Sequence, residues 1–191
     1  SASRRQPSGR LVQIVFFPKL WYAKGMTNTV LIRRANINDE AFLWEILYEA
    51  IFIPEGEEAP PPSILEDPEV ARYLLDWGRE HDHGWIAEDI ENHKPLGAAW
   101  LRLWEDDTRG YGFYDPEYPE LTIALLPEAR SQGIGTRLME RLISAAQDEG
   151  YPGISLSVSC QNPARRLYER LGFRIVSEDE ESVVMVLEFG D

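Results

Sequence analysis

A pair of glycines follows a short apolar stretch in the second half of the chain, in a setting suited to binding a diphosphate. Residues 121–126 (LTIALL) are typical of a buried strand, and Arg130-Ser-Gln-Gly133-Ile-Gly135 leads from them into a helix. The first amides of a helix have no partner within it, and glycines let a bulky anion approach the backbone closely. The alternative is a tight turn that binds nothing.

The spacing of these glycines excludes two other nucleotide-binding motifs. A P-loop would place Gly-Lys-Ser/Thr where the sequence has GTR at 135–137. A dinucleotide-binding fingerprint would need a third glycine at the position of Leu138. The HDH segment at 81–83 has residue types that bind metals, but such a pattern in a loop is usually a polar connection. We therefore expect no metal site.

The segments around the glycine turn alternate between strand and helix patterns. Strands are predicted at 29–34, 84–89, 96–104, 121–126, 154–158, 173–177 and 183–189. Helices are predicted at about 38–51, 67–79, 134–149 and 163–171. The proline-rich acidic segment 54–62 and the aromatic acidic segment 105–119 are predicted to be loops that flank these elements.

Three blocks of sequence, in this order, carry a resemblance to one family. The strand and glycine turn at 120–136 match an Arg/Gln-x-x-Gly-x-Gly/Ala signature. SLSVSCQN at 155–162 matches a fifth strand and the asparagine after it, and ARRLYERLGF at 164–173 matches a helix that ends in Gly-Phe. Residues 29–189 thus resemble the GNAT superfamily of acyl-CoA-dependent N-acetyltransferases. The resemblance implies an α/β (α+β) fold, with a mixed, mostly antiparallel sheet of about six to seven strands and about four helices.

The resemblance also implies acetyl-CoA as co-substrate. Its pantetheine arm would enter a gap between the fourth and fifth strands and pair with backbone groups of residues 123–126. Amides of residues 132–136 would hold the pyrophosphate, and Asn162 would lie near the pantetheine. The cofactor-binding residues implied in this way are Ile123, Leu125, Leu126, Arg130, Gln132, Gly133, Ile134, Gly135, Thr136 and Asn162.

Two side chains are candidates for the chemistry. Glu120 begins the fourth strand, where related enzymes often have the base that takes a proton from the acceptor's ammonium group. By the same resemblance, Tyr168 would lie close to the sulfur and protonate the leaving thiolate. The alternatives are a routine solvent contact for Glu120 and packing of a helix on the sheet for Tyr168. We predict acetyl transfer to the amine of a small molecule or a peptide by direct attack, without a covalent enzyme intermediate. The alternative function is a non-catalytic acyl-CoA-binding sensor or interaction module.

The balance of charge bears on the partners. The chain has 33 acidic and 19 basic residues, a net charge of −14, so nucleic acid is not an expected partner. The loops expected to frame the acceptor's entrance are strongly acidic, which favours a cationic amine. The acidic residues of these loops are Glu55, Glu57, Glu58, Glu66, Asp67, Glu105, Asp106, Asp107, Asp115, Glu117 and Glu120.

The remaining expectations concern organisation and location. Residues 1–28 contain no acidic residue and form an N-terminal extension of uncertain role ahead of an N-acetyltransferase domain at 29–191. No apolar run has the length of a membrane span, so no membrane partner is expected. A single cysteine, Cys160, favours a reducing, cytoplasmic location. Exposed sheet edges make a homodimer a further expectation.

Overall fold

The computed structural model describes residues 29–105 and 108–190 and contains one seven-stranded sheet. The strands are β1 Val30–Arg34, β2 His83–Asp89, β3 Pro95–Arg102, β4 Glu120–Leu125, β5 Gly153–Ser159, β6 Arg174–Glu178 and β7 Ser182–Glu188. The helices are α1 Glu40–Glu49, α2 Pro68–Ala71, α3 Ile134–Asp148 and α4 Arg165–Arg170. This architecture confirms the predicted fold class. The predicted extension at 1–28 lies outside the described residues, as do Asp106 and Asp107.

The sheet has the strand order β1-β2-β3-β4-β5-β7-β6. All neighbouring strands are antiparallel except β4 and β5, which run parallel and pair only at Glu120 and Ser155. Beyond that rung the two strands separate, so the sheet is open towards their carboxyl ends. The gap between them is the feature that the resemblance implied.

Each face of the sheet is covered by its own apolar cluster, because side chains alternate between the faces along every strand. Leu121, Ile123 and Leu125 of β4 pack with the buried side chains of α3 and α4. Ala124 and Leu126 point the other way and pack with the region that contains α1 and α2. Within the described ranges, none of the helices has the length and apolarity needed to cross a membrane.

The second predicted helix is much shorter than expected. Asp67 caps its amino end by accepting the Glu69 amide, but α2 ends at Ala71 and turns follow, with Asp76 at a φ of 57°. The buried guanidinium of Arg102 donates hydrogen bonds to two main-chain carbonyls of this segment, those of Arg72 at 2.8 Å and Leu75 at 2.9 Å. The prediction of a helix to residue 79 was therefore wrong, because a side chain distant in sequence supplies the hydrogen bonds.

Candidate active site

The glycine turn joins the end of β4 to α3 in the manner that the sequence predicted. Ser131 and Gly133 both have a positive φ, 61° and 78°, and α3 begins at Ile134. The amides of Ile134, Gly135 and Thr136 lie in the first turn of α3 and have no partner within the helix. Successive amides in such a turn form a concave site that suits an anion. A Cβ on Gly133 would meet nothing within 4 Å, so its backbone conformation, rather than space, favours glycine there.

Arg130, the first residue of the glycine motif, has its side chain directed back towards the sheet. Its Nε donates to the Leu125 carbonyl at 3.1 Å, and its Nη2 lies 2.5 Å from Glu49 Oε2 on α1. The residue thus links α1 to the end of β4, beside the glycine turn. Gln132 Nε2 donates to the Glu128 carbonyl at 2.7 Å, which closes the loop locally.

The backbone groups that face the gap can be assigned from the pairing of β4. The Leu126 amide donates to the Leu96 carbonyl of β3 at 2.9 Å, and the Ser155 amide donates to the Pro119 carbonyl at 3.1 Å. Because pairing directions alternate along a strand, the backbone N–H and C=O groups of Ile123 and Leu125 point towards β5.

Leu126 departs from the expectation that its backbone would meet the cofactor. Its N–H is bonded to β3, and its carbonyl accepts the Ala129 amide at 2.9 Å. Both of its backbone groups are therefore hydrogen-bonded within the protein, because the chain turns into a short 3₁₀ helix, Pro127–Ala129, directly after it. The gap-facing set is reduced to the backbone of Ile123 and the N–H of Leu125, because the Leu125 carbonyl already accepts Arg130 Nε.

The far side of the gap is formed by the end of β5 and by α4. The Asn162 Oδ1 accepts the Ala164 amide at 2.9 Å, so this side chain shapes the turn that leads into α4. Tyr168 is fully buried, and its ring lies edge-on to Phe173 with 5.8 Å between centroids. An open pocket of about 440 Å³ borders Asn162, and its lining residues are Cys160, Gln161, Asn162, Pro163, Arg165, Arg166 and Glu169.

Glu120 is buried in the protein, although its position at a strand start also suited a solvent contact. Its side chain is 2 % exposed and accepts three hydrogen bonds. The Tyr73 hydroxyl and the Gly112 amide donate to Oε1 at 2.8 and 2.9 Å, and the Trp104 indole donates to Oε2 at 2.7 Å. Burial raises the pKa of Glu120 to about 7, against the lowering effect of these donors. A carboxyl group of that pKa is suited to exchange protons near neutral pH.

The sequence did not reveal the partners of Glu120. Tyr73 lies within the predicted helix 67–79 and Trp104 ends the predicted strand 96–104, and neither pattern points to Glu120. Two glycines complete the surroundings: a Cβ on Gly110 would overlap Glu120 Oε2, and one on Gly112 would lie 2.7 Å from Oε1. The available signal was the pattern Gly110-Tyr-Gly112 within an aromatic loop, since glycines there permit close approach of the backbone to a side chain.

Asp82, in the HDH segment at 81–83, forms a buried ion pair with Arg102. The same arginine binds the main-chain carbonyls on either side of Tyr73. Arg102 Nε and Nη2 donate to the two carboxylate oxygens of Asp82 at 3.0 and 2.7 Å. Asp82 is thus engaged by Arg102, and the His83 ring lies 3.2 Å from Arg34 Nη2. Across residues 29–105 and 108–190, no group of three or more His, Cys, Asp or Glu side chains could hold a metal ion.

The two acidic loops meet near Tyr111. Arg72 Nη1 donates to the Arg109 carbonyl at 2.5 Å, and the Tyr111 ring stacks on Tyr73 with 6.2 Å between centroids. The acids of the first loop are exposed, as are Glu105 and Glu117 of the second. Glu120 was also predicted to line this surface, but its side chain is buried beneath it.

Comparison with known proteins places the chain in a family. The sequence profile of the Acetyltransferase (GNAT) family matches residues 44–173, more than half of the chain. Over 148 residues, 75 % of this chain and 64 % of the relative, the chain is 22 % identical to the L-2,4-diaminobutyric acid acetyltransferase of Nocardia farcinica (strain IFM 10152). Over 90 residues, 47 % of this chain and 56 % of the relative, it is 33 % identical to the uncharacterized N-acetyltransferase YjcF of Bacillus subtilis (strain 168). The chain therefore spans less than two thirds of either relative.

Solved structures share this fold at low sequence identity. Salmonella typhimurium yncA with acetyl-CoA has a TM-score of 0.59 and 21 % identity, over 86 % of this chain and 96 % of that one. PaiA N-acetyltransferase from Thermoplasma acidophilum with coenzyme A has a TM-score of 0.59 and 20 % identity, over 84 % and 99 %. Spermidine/spermine N-acetyltransferase SpeG from Vibrio cholerae has a TM-score of 0.54 and 18 % identity, over 84 % and 92 %. Together with the profile match, the open sheet and its glycine turn identify the chain as a member of the GNAT family of acetyltransferases.

Proposed function

We propose that this chain transfers an acetyl group from acetyl-CoA to a cationic primary amine, by direct attack and without a covalent enzyme intermediate. The observation that carries the proposal is the gap between β4 and β5, which has a buried carboxyl group at its closed end and the glycine turn at its open end. Transfer to an amine needs the carboxyl group as a base, and a donor that carries a diphosphate needs the glycine turn as its binding site.

The residues around the gap fit the donor. Ile123 and Leu125 present backbone groups that can pair with an extended pantetheine arm, as a further strand would. The amides of residues 132–136 would hold the diphosphate, with Asn162 on the opposite side of the gap. When bound, acetyl-CoA supplies the activated acyl carbon that the amine attacks. Two structures of the same fold were solved with acetyl-CoA or CoA, which supports this assignment.

Glu120 and Tyr168 are the proposed acid–base groups. An amine at neutral pH is mostly protonated and must lose a proton before it can attack, and Glu120, with a pKa of about 7, can take that proton directly or through water. Tyr168, across the gap on α4, would give a proton to the departing sulfur. This division of roles places the base on β4 and the acid on α4.

The charge of the surface supports a cationic acceptor. Exposed acids of the loops at 54–69 and 105–119 attract cations over a distance set by a Debye length of about 8 Å at physiological salt. The names of two similar proteins are consistent with this preference, since one refers to L-2,4-diaminobutyric acid and the other to spermidine and spermine. We expect turnover of a cationic amine to fall as salt is added.

Release of free thiol from acetyl-CoA tests the proposal. The assay would use a panel of n-butylamine, L-2,4-diaminobutyrate, spermidine and a neutral amide of similar size. We expect thiol release with the cationic amines and none with the amide. Binding of acetyl-CoA without release by any amine would contradict the catalytic proposal and favour a non-catalytic acyl-CoA binder.

A binding experiment tests the donor site separately. Gly135→Val introduces a branched side chain in the first turn of α3, where the diphosphate is expected, and should abolish CoA binding measured by calorimetry. Gln147→Val, at an exposed position of the same helix, introduces the same helix-disfavouring residue and should leave CoA affinity unchanged. Equal CoA affinity in a folded Gly135→Val protein would reject this donor site.

A further inference from the structure

A row of serines lines one face of β5 at the gap. Ile154, Leu156 and Val158 point into the core beneath α3 and α4. Because side chains alternate along a strand, the three serines of β5 point to the opposite face, which is the face of Glu120, Tyr73 and Trp104. These serines are Ser155, Ser157 and Ser159.

Two of these hydroxyl groups lack a partner. Ser155 is 0 % exposed and Ser157 2 % exposed, and neither Oγ has a hydrogen bond to any residue that the structure describes. Ser159 differs, because its Oγ accepts the Gln161 amide at 3.3 Å. A buried hydroxyl group without a partner destabilises a folded protein. Two such groups on one strand face offer hydrogen-bonding positions to a bound ligand.

Both serines lie near Glu120 in the sheet. Ser155 is paired with Glu120 across the single rung that joins β4 and β5. Gly112 donates its N–H to Glu120 Oε1, and a Cβ on Gly112 would lie only 2.6 Å from the Ser157 nitrogen. Glu120 and Ser157 therefore flank the same glycine. Ser157 is also two residues further along β5 than Ser155, where the strands have separated.

We propose that Ser155 and Ser157 bind the amino group of the acceptor and make the site selective for primary amines. This inference rests on the proposed acetyl transfer. A primary ammonium group has three N–H bonds, and three acceptors lie on this face of the sheet: the carboxylate of Glu120 and the hydroxyl oxygens of Ser155 and Ser157. One proton passes to Glu120 before attack, and the lone pair that it leaves on the nitrogen forms the bond to the acyl carbon. Of the two N–H bonds that the serines hold, one remains in the amide and the other loses its proton as the thiolate departs.

The acceptor reaches this place by displacing the backbone at Gly112. Glycine has no side chain there, and its backbone packs directly between the Glu120 carboxylate and the Ser157 nitrogen. The acceptor's N–H groups replace the Gly112 N–H at Glu120 and add bonds to the serines. No covalent bond to serine forms in this step, and each serine oxygen serves only as a hydrogen-bond acceptor.

Alanine variants of the three serines provide the test, with the most active primary amine of the panel and its N-methyl derivative as acceptors. For Ser157→Ala we expect about a tenfold fall in kcat/KM for the amine, the scale of one lost hydrogen bond to a charged group. Ser155→Ala should show a similar loss. The KM for acetyl-CoA and the melting temperature should stay at their wild-type values, because the hydroxyl groups have no hydrogen-bond partner among the residues that the structure describes. The wild type should discriminate against the N-methyl derivative, and Ser157→Ala should discriminate less.

Ser159→Ala is the matched control, since it removes a hydroxyl group that is hydrogen-bonded on the same strand face. It should lower the melting temperature and leave kcat/KM for the amine unchanged. Wild-type kcat/KM in both Ser155→Ala and Ser157→Ala would overturn this inference alone, as would a Ser157→Ala melting temperature as low as that of Ser159→Ala. Absence of transfer by the wild type to every amine would overturn the proposed function and this inference together.

Discussion

Tyr73 donates its hydroxyl hydrogen to Oε1 of Glu120 at 2.8 Å, across 47 residues of sequence. The Tyr73 oxygen in turn accepts the Tyr111 amide at 2.6 Å. This donor, with Trp104 and Gly112, partly offsets the burial that raises the pKa of Glu120 to about 7. The tyrosine therefore sets the pH at which the carboxyl group ionises and also connects it to the loop.

Tyr73→Phe should raise the pKa of Glu120 further, because a hydrogen bond to a carboxylate favours its charged form. The acidic limb of the kcat/KM profile should move to higher pH by about 1–2 units, the equivalent of a charged hydrogen bond of about 1.5–3 kcal/mol. Activity at pH 7 should fall and recover as the pH rises. Tyr48→Phe is the control, since the Tyr48 hydroxyl donates to the Pro60 carbonyl, outside this network. An unmoved acidic limb would argue against Glu120 as the base.

Glu120→Gln should remove the acidic limb altogether. In the wild type, the base becomes available as pH rises through about 7, while the acceptor amine still carries its proton. The loss of activity should thus be greatest between the pKa of Glu120 and that of the amine, and should shrink once the free amine predominates. Steady-state rates over that range measure the effect. A defect of the same size at every pH would instead indicate a positioning role.

The same carboxyl group should make the protein less stable as pH rises. Its pKa in the folded protein, about 7, lies above the ordinary value of 4.5, so between these values the folded state binds more protons than the unfolded state. The free energy of unfolding should decrease with rising pH across that window, by at most about 1.4 kcal/mol per unit. Urea denaturation of wild type and Glu120→Gln at several pH values measures the difference. Burial also raises the pKa of Glu49, but that contribution is common to both proteins. Parallel stability curves would show that Glu120 does not titrate there.

Gly110→Ala should disrupt the surroundings of Glu120. The added Cβ would overlap Oε2 of Glu120 and lie 2.7 Å from the Tyr73 hydroxyl oxygen, so the loop or the carboxyl group must shift. We expect a loss of stability of about 1–3 kcal/mol, typical of overpacking, together with reduced turnover. Gly190→Ala is the control, because a Cβ there meets nothing within 4 Å. A Gly110→Ala protein as stable and active as wild type would show that the loop is loosely held.

The parts of the site that are local in sequence were predictable, and those that depend on distant contacts were not. The glycine turn and α3 follow from adjacent residues, since a positive φ at Gly133 and the apolar spacing of the helix are both encoded locally. The burial of Glu120 depends on Tyr73 and Trp104, which are separated from it by 47 and 16 residues. The shortening of α2 depends on Arg102 in the same way. No local pattern encodes either contact.

Tyr168→Phe separates catalysis from packing at the other side of the gap. Tyr168 is fully buried with its ring against Phe173, and phenylalanine keeps that ring while it removes the hydroxyl group. If Tyr168 protonates the leaving thiolate, acetyl-CoA should still bind, but turnover should fall by about 10²–10⁴-fold, the usual contribution of a general acid. Single-turnover kinetics with saturating acetyl-CoA would measure the chemical step directly. Tyr151→Phe, at a half-buried tyrosine that packs against the same core, is the control and should keep wild-type turnover. Wild-type chemistry in Tyr168→Phe would leave Tyr168 with a packing role only, and the proton for the thiolate would then have to come from water or from another group at the end of β5.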